Sequence, residues 1–202
     1  DLGIIRVMMQ SAGQWYVKDD GKTVNLANNV ALKESIKVYK QLMESGIVKQ
    51  ISDWDQFVGA FQKGDVASVP TGCWISSSIT KATDQNGKWA VTAIPRLGAV
   101  KTSVNASSIG GSSWYVLDKV GDSELASDFV AKTFGSSTDL ANTLAQKINL
   151  ISSVKASSTT ANYQKPVQFY GGQKVPQDLS NWSLKVPSVN YGLYTYSIED
   201  IL

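Results

Sequence analysis

The chain has no histidine and a single cysteine, Cys73, in 202 residues. Without histidine it holds no Ser-His-Asp triad, no Cys-His pair and no histidine-ligated metal centre. A lone cysteine closes no internal disulfide, so folding rests on a packed core. Cys73 sits between Gly72 and Trp74 and reads as a small packing residue rather than an activated nucleophile. An excess of one charge is missing too. Nineteen basic residues stand against 17 acidic ones, for a net charge of +2, and the lysines are scattered. That balance gives nucleic acid and anionic membranes no electrostatic footing. No apolar run approaches the ~20 residues of a membrane-spanning helix. The spacings GxxxxGK[ST] and GxGxxG are absent, which removes two common phosphate-binding loops.

Aromatic residues are plentiful by contrast, with six tryptophans and eight tyrosines. Two runs stand out: Val69-Pro70-Thr71-Gly72-Cys73-Trp74-Ile75-Ser76 and Ile109-Gly110-Gly111-Ser112-Ser113-Trp114-Tyr115-Val116. Each brings a glycine turn and then a tryptophan to the junction of a loop with an element. A flat ring beside small hydroxyl-bearing residues suits a ligand with apolar faces and polar edges, as a sugar has. The same ring can plug the edge of a core, and the residues alone leave both readings open. Tyr191, Tyr194 and Tyr196 line a half-buried strand or rim a cleft. Gly110-Gly111 and Gly171-Gly172 mark a hinge, a close backbone approach or a surface turn. Asp19-Asp20 and Asp53/Asp55 are close carboxylate pairs of the kind glycoside hydrolysis uses. Turn chemistry and helix capping account for them better, because sequence neighbours point in different directions.

Hydrophobic periodicity predicts a helix over 30–45 with Leu32, Ile36, Tyr39 and Met43 inward and Gly46 as its stop. It predicts another from Ser52 or Asp53 to Gly64 on Trp54, Phe57 and Phe61. Further helices are expected over 124–134 (Leu125, Phe129, Val130), over 138–147 (Leu140, Leu144), and on Leu179, Trp182 and Val186 before Pro187. Strands are expected at 66–69, 89–94 and 113–117, with a turn at 19–22 between short strands. Residues 151–162 read as an irregular connection. Alternating helices and strands indicate an α/β fold. Ser197 and Asp200 have capping-box-like spacing just before the end at Leu202. The opening Asp1-Leu2-Gly3 shows neither methionine nor signal-peptide pattern. Both ends lead us to expect a piece of a longer protein.

The ordered set of segments resembles the extracellular solute-binding proteins of carbohydrate ABC importers, the family 1, maltose-binding-protein-like group. The matching pieces are Ser11-Ala12-Gly13-Gln14-Trp15-Tyr16, Asp20-Gly21-Lys22, the helix to Ser45-Gly46-Ile47, Phe57, Ala60-Phe61 and Lys63-Gly64-Asp65-Val66-Ala67. Gly72-Cys73-Trp74, Ala93-Ile94-Pro95, Gly110-Gly111-Ser112, and Ala126 with Asp128-Phe129 ahead of Ser136-Ser137 follow in order. The resemblance implies a type II periplasmic-binding-protein-like fold, two α/β lobes closing on a ligand, here mainly the C-terminal lobe. Residues 1–109 would begin that lobe, 110–170 would form the hinge and an excursion into the N-terminal lobe, and 171–202 would return. Most of the N-terminal lobe and the final helices would lie outside the chain.

By the same resemblance, Trp74 stacks on a sugar and Gly110, Gly111 and Ser112 form a ligand-contacting hinge loop beside Trp114. Trp15, Tyr191 and Tyr194 complete the expected ligand site. The implied function is capture of a carbohydrate, an oligosaccharide, and delivery to ABC permease subunits, by a monomer with no catalytic residue, metal or cofactor. The implied place is extracytoplasmic, as a Gram-positive cell-surface lipoprotein or a periplasmic protein. Two other classes stay open: a binder of a non-sugar solute such as a glycerol phosphodiester, and a carbohydrate-active enzyme. Helices 124–134 and 138–147 would belong to the lobe that is mostly absent. Their apolar stripes are therefore expected to be exposed, with Trp15, Trp74 and Trp114 around an open, one-sided surface.

Overall fold

A computed structural model describes residues 3–201, so the expectations drawn from Asp1-Leu2 and Leu202 lie outside the described residues. Eight α-helices appear among them: α1 Gly3–Ser11, α2 Val30–Glu44, α3 Trp54–Gln62, α4 Ser76–Ile79, α5 Ser123–Lys132, α6 Thr138–Ile148, α7 Val175–Ser183 and α8 Thr195–Glu199. Side-chain oxygens open four of them. Asn29 accepts from the Leu32 amide, Asp53 from Gln56, Asp122 from Leu125 and Ser137 from Leu140. Each satisfies an amide that has no partner inside its helix. Asp53 is thus a cap, and Asp20 accepts from the Lys22 and Thr23 amides in the 19–22 turn. Both roles are those the sequence assigned them.

Helix α1 was not foreseen. Its buried side carries Ile5, Met8 and Met9, and Ala12 continues that face one turn on. With Trp15, Tyr16, Val17, Ala31, Leu32, Leu97 and Ile198 it forms one apolar cluster. Helix α2 lies against α1, and its inward face corrects the expected stripe. Ala31, Leu32 and Ser35 are buried and Val38 and Tyr39 half-buried, while Ile36 and Met43 face outward. Ser35 displaces Ile36 because α1 meets the side of α2 that Ala31 and Ser35 share, where small residues let the two backbones approach. A second cluster joins Phe61 of α3, Ile75, Ile79 of α4, Phe169, Tyr170 and Val175 of α7. Phe57 meets Phe61 edge to face at 5.3 Å. Helix α6 buries Ala141 and Ala145 and packs on the short 3-10 turns of 155–164. Those turns hold the fully buried Tyr163.

The strand expectations are corrected. Among the described residues the only sheet-like pairings are two single bridges, Val17 with Val24 and Val167 with Gln173. Segments 66–69, 89–94 and 113–117 carry no ladder. A strand exists only where a second strand pairs with it, and no described segment lies beside these ones to do so. At Val91 a side chain substitutes: the Gln173 amide accepts from Val91 N–H at 2.8 Å and donates to Val91 C=O at 2.6 Å. The expected cap at Ser197 is corrected as well. Helix α8 starts after Tyr194, and Ser197 lies within it, because burying Ile198 places its amide on the Tyr194 carbonyl.

Candidate functional site

Glycine 72 ends the extended 66–72 segment and opens a 3-10 turn, Cys73–Ile75, that runs into α4. Ile75 and Ile79 anchor this corner in the second cluster, and Ser76 shares a 2.8 Å hydrogen bond with the Tyr170 hydroxyl beneath it. Burial pushes the Tyr170 phenol up, away from ionisation. Trp74 points the other way and remains 43% exposed. Its ring folds back over the Gly72 backbone.

Trp15 has a different setting. It is 2% exposed, within the first cluster, so the expectation that it borders an open surface is corrected. Its Nε1 donates to Thr195 Oγ1 at 2.8 Å, and that hydroxyl donates in turn to the Tyr191 carbonyl. The rings of Trp15 and Tyr191 lie 4.4 Å apart. Trp15 therefore sits behind Tyr191, whose own ring is partly exposed, with Tyr194 more so. Burial raises the Tyr191 phenol's pKa. The loop that carries Tyr191 is keyed onto the 17–24 turn. Asn190 Nδ2 donates to the Asp19 carbonyl, and Gly192, at φ 61°, lies where a Cβ would strike the Gly21 carbonyl.

Gln10, buried on α1, joins two more of the expected segments. Its Oε1 accepts from the Ser108 amide at 3.3 Å, and its Nε2 donates to the Pro187 carbonyl at 3.5 Å. Ser108 Oγ donates to the Gly110 carbonyl at 2.8 Å. Gly110 and Gly111 hold φ of 86° and 145° and are exposed, as is Ser112. Trp114 is 62% exposed, with one face stacked on Phe134 at 4.3 Å. The structure thus brings Trp15, Tyr191 and the approach to Gly110 together. Among the described residues no ring contact joins them to Trp74 or Trp114. A shallow groove beside α3 and α4, lined by Trp54, Asp55, Gln62, Ser78 and Lys81, holds none of the expected residues.

Behind Tyr191 and Tyr194, Glu199 of α8 accepts from the Tyr16 hydroxyl at 3.0 Å. Arg6 Nε of α1 stands 3.1 Å from the same oxygen, an ion pair by distance whose N–H is not aligned for a hydrogen bond. Burial first, then the Glu199 contact, pushes the Tyr16 phenol well above its ordinary value near 10. Sequence reasoning missed Gln10, Thr195 and this triad. A polar residue interrupting the apolar Ile4–Ser11 stretch was the signal for Arg6 and Gln10. Nothing local marked Thr195. Among the described residues no three His, Cys, Asp or Glu gather as a metal site, and no helix is long and apolar enough to cross a membrane.

Comparison with known proteins gives two matches. The family described as bacterial extracellular solute-binding protein matches residues 5–170. A lactose-binding protein of Rhizobium radiobacter is 39% identical over 199 residues, 98% of this chain and 47% of that protein. The chain spans about half the length of this curated relative. No solved structure matches.

Proposed function

The chain belongs to the bacterial extracellular solute-binding family, and from that premise we propose that it captures a carbohydrate outside the cytoplasm and delivers it to the permease subunits of an ABC importer. The observation that carries this is the 39% identity, along 98% of the chain, to a protein named for binding lactose. A half-exposed aromatic ring such as Trp74 offers a surface on which the C–H face of a pyranose stacks, while hydroxyls exchange water for polar groups. The reading assigns ligand contact to Trp74, Trp114, Tyr191, Tyr194 and the Gly110-Gly111-Ser112 backbone. Trp15 acts from behind Tyr191.

The proposed organisation is two α/β lobes: 1–109 and 171–202 in the C-terminal lobe, 110–170 as hinge and excursion. Helix α5 supports it. Leu125 and Phe129 are 64% and 60% exposed and the helix buries nothing fully, as expected for a face that another surface covers. Helix α6 departs from that expectation by packing on 155–164. A lipid anchor or a periplasmic location completes the proposal, with the protein as a monomer.

Binding proceeds without chemistry. Each close carboxylate pair has a member occupied as a cap, Asp20 in its turn and Asp53 on α3. Calorimetric titration of the complete protein with lactose and a panel of oligosaccharides is expected to give saturable binding, with the sugar recovered unchanged by chromatography. Shortened sugars accumulating with time would establish an enzyme. Binding of glycerol phosphodiesters and of no sugar would establish the other solute class.

A further inference from the structure

We propose that Gly72 is a positioning residue for sugar recognition: the space its missing side chain leaves is where the back of the Trp74 ring rests. The inference rests on reading Trp74 as a stacking platform. Glycine at 72 is not explained by backbone conformation, since φ −95° and ψ 174° are extended values that any residue adopts. Nor does the turn require it. The Gly72 carbonyl accepts from the Ile75 amide at 3.4 Å, a contact every residue type supplies equally.

The side-chain space does require it. A Cβ at 72 would overlap Cε3, Cζ3 and Cη2 of the Trp74 six-membered ring. The overlap is with three ring carbons at once, so no small shift relieves it. The backbone beneath cannot yield readily either. Ile75 and Ile79 are locked in the second cluster, Ser76 is hydrogen-bonded to Tyr170, and the Thr80 hydroxyl donates to the Ser76 carbonyl. Any residue larger than glycine therefore swings the indole to another rotamer and leaves the corner in place. With glycine, the ring rests against the main chain while the side chain stays 43% exposed. That is the arrangement a sugar's apolar face needs, because a ring free to rotate would lose rotamer entropy on binding.

The test is a cycle of Gly72→Ala, Trp74→Ala and the double variant in the complete protein. Lactose affinity is read by calorimetry, and tryptophan environment by near-ultraviolet circular dichroism. Each single variant is expected to weaken lactose binding about two- to ten-fold, the range of one aromatic stack. The double variant should be no weaker than Trp74→Ala, because the glycine acts only through the ring. Gly72→Ala should also change the dichroism in the parent and not in the Trp74→Ala background.

Parent-like affinity in Gly72→Ala, with Trp74→Ala weakened, overturns the role of the glycine alone. Losses that multiply in the double variant overturn it as well. Parent-like affinity in Trp74→Ala overturns the platform reading and the proposal with it. Should Gly72→Ala fail to fold, the double variant decides: folding restored by Trp74→Ala upholds the clash with the ring, and failure in both overturns it.

Discussion

At the scale of single residues, Tyr16 carries the clearest linkage to pH. Its hydroxyl donates to Glu199, and its side chain is buried beneath α8. The folded phenol holds its proton more tightly than the unfolded chain does, with burial the larger cause and Glu199 the next. The stability this adds is fully present below the ordinary tyrosine value near 10 and is lost as pH rises through the higher folded value. Thermal midpoints of the parent should therefore fall steeply above pH 10. In Tyr16→Phe that added slope should vanish. The variant should also lose about 1.5–3 kcal/mol at neutral pH, the worth of a hydrogen bond to a charged group. A Tyr16→Phe midpoint that follows the parent's alkaline decline would show that Tyr16 is not the source. The same scale explains why Trp15 was misplaced. Trp15 and Trp74 both follow a glycine by two residues, and nothing in those neighbours says that Thr195, 180 positions away, will take the Trp15 indole N–H.

At the scale of elements, α2, α3, α5, α6 and α7 were legible because an amphipathic helix writes its period and its caps into contiguous residues. Helix α1 was not. Gly3–Ser11 spans only nine residues, with Arg6 and Gln10 as its polar interruptions, too short a run for the period to stand out. Strands were legible only as extended, apolar-rich runs, since the pairing that makes a strand depends on a partner far away in the chain. Helix α5 separates the two kinds of information: its period is local, and what covers its face is not. If that face meets the proposed second lobe, Leu125→Glu and Phe129→Glu should each destabilise the complete protein by about 2 kcal/mol or more, approaching a buried substitution such as Ala145→Glu. A solvent face would instead tolerate both within about 0.5 kcal/mol. Urea midpoints of the three variants distinguish the cases, and neutrality at 125 and 129 would remove the lobe contact.

At the scale of the whole molecule, the features argue for motion between rigid parts. Two apolar clusters each lock a set of helices, and the exposed candidate ligand residues are not gathered in one cavity. Separated rings of this kind form one site only if a closing movement brings them round a ligand. The proposed hinge for such a movement is Gly110-Gly111. It has φ of 86° and 145°, and a Cβ added at either position would meet nothing within 4 Å. Alanine at 111 would thus alter no packing, yet would place an L residue in a backbone region costing about 1–3 kcal/mol. Where open and closed states need different values at 111, that strain shifts their balance. Because the strained value belongs to the open arrangement, Gly111→Ala is expected to favour closure and tighten sugar binding about five-fold, since about 1 kcal/mol corresponds to that factor. Small-angle scattering of the complete protein should show the parent contracting on saturation with lactose. The variant should already be more contracted without sugar, or contract at lower sugar concentration. Equal contraction at equal concentration would move the hinge away from this glycine pair.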